Sequence, residues 1–273
     1  MQTKDWTHLI CEAAGAGCRE MQFIGGEPTL HPDLPMFIRA ARDNGFSRIE
    51  VFTNATRVDD DLVRCFSDFG VCVASSFYSS QPDVHERVTG GSQSWTRTVR
   101  GFQRLLAAGI PLRVGVIEME QNAGHATEAI TYLKSLGVHH VRTDRVRGVG
   151  RGQVQLTNTS ASEFDELCGQ CWKGKLCVTP SGLAYPCVMA RRWPLGDVRL
   201  GLGGVLRSAE LTQFRSSLSR FRRNPTARAS FHDCNPAGCE PQDCYPTVCC
   251  SPDECNPVEG CGPNESSECG PDK

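Results

Sequence analysis

From Thr3 to Arg147 the chain keeps one beat: an amphipathic segment of helical length, a glycine, a short apolar run, and then the same again. Runs such as Ile49-Glu50-Val51-Phe52 and Leu112-Arg113-Val114-Gly115-Val116 are strand-like in length and content, and the segments between them are apolar at helical period. Such a chain has few folds open to it, because each strand that leads through a helix to the next must run parallel to it. The pattern predicts helices near 5–16, 33–44, 58–69, 95–108 and 125–136, and strands at 21–24, 48–53, 71–77, 112–118 and 138–143. Gly45, Gly70, Gly109 and Gly137 follow helical segments, where a left-handed residue ends a helix cheaply only as glycine. The beat opens on a helix, so the expected architecture is a partial parallel α/β barrel that lacks its first strand and leaves an edge unpaired.

The second half reads differently. Residues 157–162, TNTSAS, form a loop in which Ser160 or Ser162 caps a short helix near 163–167. A hairpin follows over Leu176–Val188, turning at Pro180-Ser181-Gly182, and then a helix near 208–221. From Phe231 onward aliphatic residues almost vanish and nine acidic side chains face one lysine. The expected domains are 1–152, a small Cys-rich α+β module at 163–230, and an irregular acidic tail at 231–273.

Charge excludes some partners. With a net charge of -2 the chain has no overall attraction for nucleic acid or an anionic membrane. No apolar run approaches the roughly 20 residues of a membrane helix, and the start has no apolar signal core. The chain therefore reads as cytoplasmic. Its 16 cysteines then point to metal or cluster ligation rather than disulfides, because the cytosol keeps thiols reduced. Cys11 and Cys18 sit around the first helix and are expected to be small buried apolar groups.

Directly after the first strand comes Gly25-Gly26-Glu27-Pro28-Thr29-Leu30-His31-Pro32, at the end of the strand where parallel α/β folds place functional loops. Paired glycines let a ligand approach the main chain, a carboxylate beside them accepts from an ammonium group, and Pro28 restricts the backbone of Glu27. A lone Gly-Gly is an ordinary tight turn; this string in this position is more specific. It resembles the S-adenosylmethionine (AdoMet) loop of radical SAM enzymes. Thr53-Asn54 after the second strand, Ser75-Ser76 in the third and Asp144 to Gly152 resemble further parts of that family. The resemblance implies a (β/α)6 barrel, with Gly25, Gly26, Glu27 and Pro28 around the methionine amino group and Asn54, Ser75 and Ser76 facing ribose or carboxylate. The stretch from Ser76 through His85 to Gly90 resembles a segment of peptide-modifying members and is expected to line a substrate channel; a polar surface loop is the plainer reading.

The family's chemistry also needs a [4Fe-4S] cluster on a Cys-x3-Cys-x2-Cys loop, and that spacing occurs nowhere in the 273 residues. The loop belongs between the first strand and the first helix, so the chain is expected to be an N-terminally truncated form, inactive by itself, with the radical cluster present only in a full-length form. Cys171-x10-Gly182-x4-Cys187, with Leu195-Gly196-Asp197-Val198 beyond, resembles the SPASM extension, which carries auxiliary [4Fe-4S] clusters. Cys168 and Cys177 join that ligand set, although Cys168-x2-Cys171 is equally a zinc half-site. In the tail, Cys234, Cys239, Cys244 and Cys249 are the leading further ligands. The tail's spacing departs from the family, and a repeated Cys-x-Pro unit leaves it open to being a flexible segment with some metal affinity. The implied activity is AdoMet-dependent hydrogen abstraction from a ribosomally made precursor peptide, with a ferredoxin or flavodoxin as electron donor. The alternative is a noncatalytic metal- or peptide-binding scaffold that retains the barrel.

Overall fold

The computed structural model describes residues 1–146, 167 and 174–222. Its chain order begins α1 (Thr3–Gly15), β1 (Glu20–Phe23), α2 (Leu34–Asp43), β2 (Arg48–Phe52), α3 (Asp60–Asp68) and β3 (Cys72–Phe77). It continues with α4 (Pro82–Thr89), α5 (Ser94–Ala107), β4 (Leu112–Glu118), α6 (Ala126–Ser135) and β5 (His140–Arg145). The five strands form one sheet in the order β1-β2-β3-β4-β5, every neighbouring pair parallel. Strict sequential order with right-handed crossovers winds all connecting helices onto one face.

Strand alternation separates the two faces. Phe23 stacks on Phe37 of α2, and Phe77 meets His85 of α4, Phe102 of α5 and Tyr132 of α6, so their parity faces the helices. Ile49, Val51, Val73, Val114 and Val116 share that parity and are buried at 2% exposure or less. The opposite parity carries Gln22, Glu50 and Arg113, and there the Glu50 carboxylate accepts from Gln22 Nε2 (2.5 Å), Arg113 Nε (2.8 Å) and Arg113 Nη2 (2.7 Å). Within residues 1–146 the expected helix and strand positions agree with the structure to within a few residues, while the short helix expected near 163–167 lies outside the described residues but for Leu167. Between β3 and α5 a helix was not foreseen: α4 occupies the stretch read as a polar loop. Its signals are visible in retrospect, with Pro82 at the first turn and Gly90 left-handed (φ 70°) at the end.

Further along come β6 (Cys177–Val178), β7 (Leu183–Tyr185), β8 (Gly196–Asp197), α7 (Leu202–Leu206) and α8 (Ala209–Arg222). The expected hairpin turns where Gly182 N–H donates to the Thr179 carbonyl (2.9 Å), and β7 pairs antiparallel with β8. Two compact units divide the described residues. The larger combines the parallel sheet with 178–184 and 195–208. In it the Met1 amino group meets the Pro180 carbonyl, and Leu202 N–H donates to Glu12 of α1 (3.3 Å). The smaller unit has its own apolar centre of Leu167, Ala190, Phe214 and Leu218, with Cys187, Met189 and Trp193 packed against it. No helix among the described residues is long and apolar enough to cross a membrane.

Candidate functional site

All five parallel strands point their carboxyl ends to one edge of the sheet, and the loops leaving β1 and β2 meet there. After Phe23 the backbone passes Gly25 and Gly26, and Pro28 opens a single 3-10 turn, Pro28–Leu30. Glu27 caps that turn: its Oε1 accepts from Thr29 N–H (3.1 Å) and Thr29 Oγ1 (2.8 Å). The same carboxylate reaches the loop after β2, where Thr53 Oγ1 donates to Oε1 (2.6 Å) and Asn54 N–H donates to Oε2 (2.7 Å). Charge-assisted bonds of this kind are about twice as strong as neutral ones, so one acid ties two loops together. Three donors converge on Oε1 and one on Oε2, which leaves Oε2 with acceptor capacity toward an added cation.

The β2 loop is itself well organised. Thr53, 1% exposed, extends the ladder through its N–H to the Ala74 carbonyl (2.9 Å). Asn54 Oδ1 accepts from Thr56 N–H (2.9 Å) and Thr56 Oγ1 (2.7 Å), an Asx turn that engages the Asn54 side chain within its own loop. Between them Ala55 is left-handed at φ 56° although it carries a side chain.

Gly25 and Gly26 are informative by what does not surround them. Neither is left-handed, and a Cβ on either would meet nothing within 4 Å. Folding therefore does not require glycine at either position. Without a Cβ, both leave their main chain open to close approach.

The other candidates separate. Ser76 lies on the open face of β3, whereas Ser75 shares the parity of Val73 and Phe77, is 1% exposed and lies under the helices. His85 is likewise 1% exposed, a buried ring in α4 rather than a channel-lining one. It packs on Phe77 and Tyr78, its Nδ1 has no hydrogen-bond partner, and desolvation lowers its pKa to about 4. Cys11 corrects an expectation of burial: it is exposed on α1, because the buried face of that helix is Leu9, Ile10 and Ala13.

Among the proposed metal ligands, Cys177 and Cys187 are half-buried and close enough to interact electrostatically. Burial raises the pKa of Cys177, Arg191 opposes that rise and Cys187 adds to it. Cys168, Cys171, Cys234, Cys239, Cys244 and Cys249 lie outside the described residues. Among the described residues no group of three or more His, Cys, Asp or Glu side chains converges.

With this geometry in place, residues 2–120 match the Radical SAM superfamily. They form a radical SAM domain. Two relatives place it more widely. A PqqA peptide cyclase of Granulibacter bethesdensis is 22% identical over 248 residues, covering 74% of this chain and 66% of that protein. An AdoMet-dependent heme synthase of Methanosarcina barkeri is 27% identical over 168 residues, covering 61% of this chain and 48% of that protein. The match thus spans between about half and two thirds of these curated relatives. A solved structure of native anSMEcpe with bound AdoMet and Kp18Cys peptide superimposes with a TM-score of 0.61 at 13% identity, covering 85% of this chain and 80% of that one. At that identity the likeness establishes the radical SAM fold.

Proposed function

We propose that this chain takes AdoMet at the carboxyl edge of its parallel sheet and serves in hydrogen abstraction from a precursor peptide. The observation that carries the reading is the open pair Gly25 and Gly26, small without any need of the fold and held in place by the Glu27 bridge. In that assignment the main chain of Gly25 and Gly26 faces the methionine amino group and Glu27 Oε2 accepts from it, while Pro28 holds the backbone of Glu27. Asn54 and Ser76 line the approach, with Ser75 supporting from beneath. AdoMet, when bound and reduced by an iron-sulfur cluster, supplies a carbon radical that removes a hydrogen atom from substrate. The residues present fit AdoMet. The three-cysteine loop that would hold the reducing cluster is not among the residues present, so no step is derived through that cluster.

The peptide substrate rests on the relatives, one named for a peptide and one solved with a peptide bound. The other relative is named an AdoMet-dependent heme synthase, a different substrate class. The neighbouring thiols Cys177 and Cys187 support an auxiliary metal site completed by Cys168 and Cys171, with the tail cysteines beyond. Electrons from a ferredoxin or flavodoxin complete the scheme. The second reading, a noncatalytic scaffold that binds metal or peptide, draws on the missing cysteine loop beside an intact barrel core.

Equilibrium dialysis of AdoMet tests the cofactor reading. Gly25→Val and Gly26→Val should abolish retention while changing folding stability by no more than about 0.5 kcal/mol, as for open surface sites. Retention undiminished in both variants would remove the reading. Anaerobic reconstitution with an iron and sulfide count tests the metal site: zinc without sulfide rules out an auxiliary cluster.

A further inference from the structure

The loop that carries Asn54 is pressed from behind by a helix to which the cofactor reading gives no role. Gly101 lies in the middle of α5, buried, and a Cβ there would sit 2.0 Å from the Ala55 carbonyl oxygen and 3.0 Å from its carbonyl carbon. Either the helix or the loop would have to move. Three residues earlier on the same helical face, Thr98 is 2% exposed and its Oγ1 donates to the Asn54 carbonyl (2.9 Å). Thr98 and Gly101 therefore hold two successive carbonyls, those of Asn54 and Ala55, against α5.

What they hold is a strained turn. Ala55 is fully buried and left-handed, a conformation that is strained for an L residue and persists only where the surroundings enforce it. From this turn the bonds lead outward to the cofactor loop. Ala55 N–H donates to Thr53 Oγ1 (3.0 Å), whose own proton goes to Glu27 Oε1 (2.6 Å), and Asn54 N–H donates to Glu27 Oε2 (2.7 Å). Each link uses a donor once, so displacing the turn pulls both donors away from the carboxylate together.

We infer that Thr98 and Gly101 are positioning residues for the cofactor loop: α5 fixes the Asn54–Ala55 turn, and the turn fixes the Glu27 carboxylate beside Gly25 and Gly26. The functional half of this inference rests on the AdoMet reading; the structural half does not. Relaxing the contact should free the Thr29 and Asn54 amides, both of which donate to Glu27, while leaving the strands intact.

Amide hydrogen exchange and AdoMet dialysis on the full chain separate the two halves. Thr98→Val, nearly isosteric, and Gly101→Ala should each speed exchange at Asn54 and Thr29 by about tenfold and weaken AdoMet retention by a similar factor. Thr98→Ser should restore both. Leu133→Ala, in the buried face of α6, should lower the melting temperature and alter neither readout. Unchanged Asn54 and Thr29 exchange in Thr98→Val overturns the inference, whether or not Gly101→Ala folds. Equal acceleration in Leu133→Ala also overturns it, by reducing the effect to global stability. Faster exchange with AdoMet affinity intact overturns the positioning role. If the unsubstituted chain retains no AdoMet yet both variants open the two amides, the structural half stands and the cofactor reading fails.

Discussion

A methyl group added at Gly25 would touch nothing, whereas one added at Gly182 would lie 2.8 Å from both Asp197 Oδ1 and Arg199 Nε, on a backbone at φ 88°. The fold demands glycine at 182 and makes no such demand at 25. Gly182→Ala should cost about 1–3 kcal/mol in chemical denaturation, from strain and from displacing the Asp197–Arg199 pair, while Gly25→Ala should stay within about 0.5 kcal/mol. His85 belongs to the same scale. Its ring is neutral in the native state down to about pH 4, whereas in the unfolded chain it takes a proton near its ordinary value of about 6.5. Between those values the unfolded state binds more protons, so stability contributed by neutral His85 is whole above about pH 6.5 and declines as pH falls toward 4. Urea midpoints measured across that window should slope in the unsubstituted protein and flatten in His85→Leu.

At the scale of elements, the loops after β1 and β2 behave as one unit because a single carboxylate spans them. Glu27→Gln keeps one oxygen for Thr29 and Thr53 but turns an NH2 group toward the Asn54 N–H, donor against donor. Exchange at the Asn54 amide should quicken while that at Thr29 stays slow; equal protection of both would mean that the bridge does not hold the β2 loop. Strands and most helices were legible from periodicity. Helix α4 was not, because its polar residues and flanking glycines read as loop, and it was packing of Val84 and His85 under the sheet's helix layer that made it an element.

For the larger unit as a whole, the open face of the sheet is joined by charge rather than by oil. Glu50, 5% exposed, bonds Gln22 of β1 and Arg113 of β4, reaching past β3, where only Cys72 and Ala74 intervene at that register. Arg48 adds a weaker contact at 3.5 Å. Burial by itself would raise the Glu50 pKa, but hydrogen bonds and charge from Arg113, with Gln22 and Arg48, hold it below the usual glutamate range. That stability is present above the unfolded glutamate pKa and is lost as pH falls through the lower native value. Glu50→Ala leaves the arginines without their acid and should cost about 3 kcal/mol by thermal or urea unfolding; a loss under about 1 kcal/mol would show that solvent replaces it readily.

The alternation of apolar periods indicated five strands joined by helices into a parallel sheet, and the Gly25–Pro32 string marked the loop after the first of them as the candidate site; the sheet then shows the strands in chain order. Periodicity tells which side of a strand or helix turns inward, and turn residues tell where an element stops. Neither tells which residue of one element lands against which residue of another. That Gly101 meets Ala55, that Thr98 reaches Asn54 across 44 positions, and that Glu27 spends its acceptors on Thr29, Thr53 and Asn54 were decided only when helices settled on the sheet. Such contacts depend on crossing positions set by the packing of whole faces, a quantity no local stretch of sequence contains.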